Sequence, residues 1–104
     1  MGIEYRGVIC VGYTHEEIES LPNYASDEEY SVYEFCEDKG LDSFAPYYDA
    51  DSEDYIYGRR VVKTSSYSSV EIPNNLDELI AEAKDNLTKE FGVVPKAYLM
   101  AQGW

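Results

Sequence analysis

The residues best placed to do chemistry in this chain are carboxylates. In the stretch DADSED, Asp49, Asp51 and Glu53 alternate like the opening of a calcium-binding loop. The pattern then departs from such a loop. Asp54 stands where a sharp-turning glycine is needed, and Arg60 stands where the closing glutamate is needed. The spacing therefore predicts an acidic surface loop and no dedicated metal site. His15 is the single histidine, which removes any multi-histidine metal centre, and its place in the first turn of a predicted helix makes it an exposed side chain. Neither Cys10 nor Cys36 stands in a local motif with it. Paired carboxylates for hydrolysis need one acid whose pKa an apolar pocket has raised, and among so many acids no pair stands out. The chain has no phosphate-binding loop, dinucleotide fingerprint or nucleophile elbow. The reading is of a non-enzymatic protein with no catalytic residue, no cofactor and no metal.

What the carboxylates do form is a block of charge. The 104 residues carry a net charge of −13. Residues 15–54 contain fourteen acids against one base, Lys39, so this window holds the whole net charge and the remaining seven acids and seven bases cancel. Eight of the eleven tyrosines lie between Tyr13 and Tyr57, interleaved with the acids. Disordered acidic tails are poor in rings, so this composition predicts acids on ordered elements. A molecule with this charge is repelled by nucleic acid and by anionic membrane surfaces, and its partners are expected to be basic proteins.

The elements that must position these groups are legible in part. IEYRGVICVGY reads as a strand around Val8, Ile9 and Val11. Thr14 with Glu17 forms a capping box, Tyr13 and Ile18 are spaced as a hydrophobic staple, and Pro22 ends the helix they start. Ser26 with Glu29 repeats the box and predicts a second acidic helix over 28–38, with Gly40 as its C-terminal cap; the alternation in EYSVYEF leaves a strand open there. LDSFAPYYDADSEDYIYG (residues 41–58) reads as a loop or short helical turn containing Pro46. Two strands are expected at about Tyr55 to Thr64 and Tyr67 to Ile72, joined by a serine-rich turn. Arg59, Arg60 and Lys63 are expected to offset the acidic loop just before them.

The strongest periodic signal is NNLDELIAEAKDNLTKEFG. Leu76, Leu79, Ile80, Ala83 and Leu87 make one apolar stripe, with an Asn75–Glu78 cap and Gly92 as the stop. A last strand, VVPKAYLMAQGW, carries Pro95 near its start, which suits a sheet edge. The order predicts a single small α+β domain spanning 1–104: an antiparallel or mixed sheet of about four strands packed on one amphipathic helix, with acidic helices and an acidic loop on one side. Without an apolar leader or spanning segment, and with only two cysteines, the expected setting is the cytoplasm.

Carboxylates on ordered helices at i, i+3 and i+4 sit about 5–6 Å apart. That repeat resembles the charge pattern of a phosphate backbone, with one charge per ~3.4 Å of each strand. In size, acidity and organisation the chain is similar in style to the small acidic proteins that bacteriophages make against host restriction, CRISPR and other nucleic-acid enzymes. That resemblance, which no single motif carries, implies a DNA mimic acting in the host cytoplasm. The expected contact set is Glu16, Glu19, Glu28, Glu37, Asp38, Asp49, Asp51, Glu53 and Asp54, with Tyr47, Tyr48 and Tyr55 as anchors. The alternative is an adaptor that binds through a hydrophobic or β-edge surface in the last strand, with the acids serving solubility; a homodimer through that edge fits either reading.

Overall fold

The computed structural model describes residues 5–24, 31–47, 49–64, 69 and 71–103. Its order is β1 (Tyr5–Thr14), α1 (His15–Glu19), α2 (Val32–Asp38), β2 (Asp42–Phe44), a 3-10 turn (Ser52–Asp54), β3 (Ile56–Lys63), α3 (Leu76–Phe91) and β4 (Lys96–Gly103). The four strands form one antiparallel sheet in the order β2-β3-β1-β4. The α+β architecture expected from the sequence is the one observed.

β1 is central, which explains its unbroken apolar run. Val11 and Tyr13 point to the helical side, where they pack with Ile18, Leu21, Val32, Phe35, Cys36, Leu41, Tyr57, Leu87 and Phe91. Val8 and Cys10 point to the other face and pack with Phe44, Ile56, Tyr98 and Met100. A strand buried on both faces loses the alternation that a one-sided strand shows. α3 lies across β1 and β3, burying Leu87 and Phe91. The Tyr13 hydroxyl donates to the Val93 carbonyl at 2.6 Å and to the Leu87 carbonyl at 3.3 Å, tying β1 to the end of α3. Gly12 faces Gly58 across the β1–β3 ladder. A methyl group on either would collide with the backbone of the opposite strand, so this close approach requires glycine on both sides.

Local design accounts for the short helices. The Thr14–Glu17 box is formed in both directions, with bonds of 3.2 and 2.9 Å, and α1 ends at Glu19, before Pro22. The second helix settles the helix-or-strand question for Val32–Asp38. Its N-cap is Ser31, whose hydroxyl accepts from Glu34 N at 3.2 Å; the Ser26–Glu29 box lies outside the described residues. At its other end Gly40 takes φ +72°. There Gly40 N–H bonds Glu37 O and Leu41 N–H bonds Cys36 O, a Schellman closure that seats Leu41 against the core.

Three expectations are corrected. Asp42–Phe44 is a strand rather than loop; three residues are too few to show a period, and its order comes from pairing with β3 and burial of Phe44. Of the strand expected at 67–72, Ser69, Glu71 and Ile72 lie in no strand, and the rest falls outside the described residues. Ile72 is two-thirds exposed, so burial does not draw that segment into the sheet. Asn75 makes no side-chain cap; its backbone, at φ −102° and ψ 28°, departs from the extended conformation from which a cap side chain reaches the second and third helical N–H groups.

Candidate functional site: an acidic end of the sheet

The antiparallel register decides which acids meet. Thr14, at the end of β1, pairs with Ile56, at the start of β3, and Ile56 also pairs with Phe44, at the end of β2. α1 and the 45–55 connection therefore leave the same end of the sheet. α1 and the 3-10 turn touch there. Glu16 and Glu19 from α1 and Glu53 and Asp54 from the turn line one groove of about 430 Å³, with His15 beside them. His15 Nδ1 lies 2.9 Å from Glu19 Oε1, one helical turn away, and its side chain is only 22% exposed. It is part of the groove wall and not the free surface side chain that the sequence suggested. The i,i+4 spacing of His15 and Glu19 was the signal for this contact.

The tyrosines hold the acidic turn. Tyr47 donates its hydroxyl to Asp54 Oδ2 at 2.7 Å, and that carboxylate holds the Tyr47 phenol above its ordinary pKa. Tyr57, fully buried, donates to the Ser52 carbonyl at 2.8 Å. Burial pushes its phenol up to about 12, so it remains a donor across the neutral range. Tyr55 packs half-buried against the core, its ring 6.1 Å from that of Tyr57. Of the three expected anchors, Tyr47 is about half exposed, Tyr55 is committed to packing, and Tyr48 lies outside the described residues. Asp49 holds the turn's entry at φ +64°, a left-handed conformation that Asp tolerates better than most residues.

The remaining acids stand apart from this groove. Glu37 lines a second cleft, of about 200 Å³, with Tyr33, Cys36, Leu41, Asp42, Ser43 and Tyr57. Asp38 is exposed at the end of α2, Asp51 is exposed beside the 3-10 turn, and Glu28 lies outside the described residues. Tyr57 joins the two parts, since it borders the cleft and its hydroxyl fixes the turn. The helix α2 carries acids at both ends and no base in its last turn. Glu37 and Asp38 thus oppose the helix dipole, an effect that Lys39 at the C-cap partly offsets.

Arg59 does not pair with the acidic loop as expected. Its guanidinium donates to Gly40 O at 2.6 Å and lies 3.7 Å from Glu90, because residue 59 falls on the helical face of β3. It ties the α2 terminus to the neutral scaffold. Cys10 and Cys36 are free and buried in opposite clusters, and burial pushes each thiol up to about 12. Among the described residues no group of three or more His, Cys, Asp or Glu is arranged to hold a metal ion, and no helix is long and apolar enough to cross a membrane. Comparison with protein-family models, curated proteins and solved structures finds no match to this chain.

Proposed function

We propose that this chain is a binding protein that presents its acidic end as a mimic of nucleic acid, occupying the basic nucleic-acid-binding surface of another protein. The observation that carries this reading is the coincidence of charge and order. All of the net −13 belongs to residues 15–54, and in that window α1, α2 and the 3-10 turn are capped, clasped and packed. Crowding like charges onto rigid supports destabilises a compact domain, and solubility alone asks for far less. Acids at the C-terminus of α2 break the local rule for helix stability, and such violations gather where a surface serves binding. A fixed array of carboxylates also costs little ordering entropy when it meets a cationic channel.

The test is capture and competition. Immobilised protein is exposed to bacterial lysate and eluted with a salt gradient, and the retained proteins are identified by mass spectrometry. The reading expects a nucleic-acid-binding protein that leaves at moderate salt and that duplex DNA displaces. The variant Glu16→Lys/Asp51→Lys/Glu53→Lys, altering three exposed acids, is expected to lose that protein while keeping its circular dichroism. A partner that stays bound through high salt, or that DNA fails to displace, defeats the mimic reading.

A further inference from the structure

The two edges of the sheet differ. β2 offers only three residues, whereas β4 offers eight, and no described strand pairs with its outer side. Proteins usually blunt such an edge with charge, proline or a bulge. Here Pro95 and Lys96 mark the start, but the run AYLMAQG from Ala97 to Gly103 contains neither charge nor proline. α3 packs on β1 and β3. On the helical side Ala97 and Ala101 are exposed and Leu99 is 79% exposed. On the other face Tyr98 and Met100 are half-buried at the rim of the second apolar cluster.

We propose that this edge pairs with the same edge of a second copy of the chain, antiparallel across a two-fold axis at Leu99. The register is self-complementary. Leu99 meets Leu99, Ala97 meets Ala101, Tyr98 meets Met100, and Lys96 falls opposite Gln102, so no like charges face each other. The apolar strip on the helical side doubles, and the second cluster continues from one copy into the next. Charge selects both the edge and the orientation. Two molecules of −13 repel except where their acids are distant, and the 97–103 run is free of acid. In the joined sheet the two β2 strands stand seven spacings apart, about 34 Å. The acidic α1 helices leave the sheet beside the Lys96 end of β4. Antiparallel pairing sends them to opposite ends, beyond the ~8 Å screening length of physiological salt. Parallel pairing would set them side by side. This inference is independent of what the acidic end binds.

Sedimentation equilibrium on the full chain over roughly 5–500 μM tests it. A monomer–dimer equilibrium is expected, weakened about tenfold or more by Leu99→Lys, which sets two lysines face to face on the axis, and unchanged by Glu78→Lys on α3. A second measurement fixes the register without relying on that variant. With oxidised glutathione as the electron acceptor, Leu99→Cys is expected to form a disulfide-linked dimer and Ala97→Cys is not, because residue 99 faces its own copy and residue 97 faces residue 101; Cys10 and Cys36 are buried and do not compete. A chain that stays monomeric throughout, a dimer indifferent to Leu99→Lys, or cross-linking at residue 97 and not at 99 overturns the proposal. So does an edge occupied only by a strand of a different protein.

Discussion

Tyr57→Phe isolates the clasp on the acidic turn. The ring stays in the core and only the hydroxyl is removed, deleting one bond of 2.8 Å to the Ser52 carbonyl. That carbonyl keeps the Tyr55 N–H at 3.3 Å, so the acceptor is not stranded and the loss sits near the ordinary net value of a hydrogen bond, about 1 kcal/mol. For a domain of this size the melting temperature should fall by ~4–8 °C, and the urea midpoint by ~0.3–1 M. Hydrogen exchange locates the effect. The Asp54 amide, bonded to Asp51 O at 2.8 Å, should exchange faster in the variant, while amides of β1 should change only by the global loss. The hydroxyl also contributes to the alkaline limb. Tyr13 and Tyr57 titrate from an ordinary 10.0 up to about 12 in the folded state because burial disfavours the phenolate. Groups with raised folded values contribute stability that is complete below pH 10 and disappears as pH climbs toward 12. The parent should therefore lose stability over that interval, and Tyr57→Phe should lose it with a shallower slope, the Tyr13 phenol and the two buried thiols still contributing. If the variant melts with the parent and its Asp54 amide exchanges at the parent's rate, Tyr57 is not what holds the turn.

Four further outcomes follow from the same structure. Gly58→Ala forces a methyl into the β1 backbone and should cost ~3 kcal/mol or more, or prevent folding, as read by urea melts and expression in the soluble fraction. With burial pushing both thiols up to about 12, native protein at pH 8 should hold only about one thiolate in ten thousand per site and resist iodoacetamide, with both cysteines reacting in denaturant. The Glu16→Lys/Asp51→Lys/Glu53→Lys variant relieves like-charge crowding, so its urea midpoint should equal or exceed the parent's at low salt, with the difference shrinking as salt is added. Tyr47→Phe should leave global stability nearly unchanged, since the bond to Asp54 is exposed, but should combine with Tyr57→Phe non-additively in Asp54 exchange, because both hydroxyls hold one turn.

Residue order alone is enough for the parts that local chemistry decides. The Thr14–Glu17 box, the Gly40 and Gly92 stops and the Leu76–Leu87 stripe each need only neighbours within one or two helical turns, and all appear where the spacing put them. The charge window is a matter of counting, and it too was legible. Tertiary structure alone decided which acids meet. Glu16 and Glu53 are far apart in sequence and line one groove because Thr14, Ile56 and Phe44 converge at one end of the sheet. The same register put Arg59 on the helical face, where it reaches Gly40 and Glu90 instead of the acidic loop. It also recruited Asp42–Phe44 as a strand too short to announce itself. A strand's partners are fixed by burial on a shared sheet, and residues distant along the chain supply that burial.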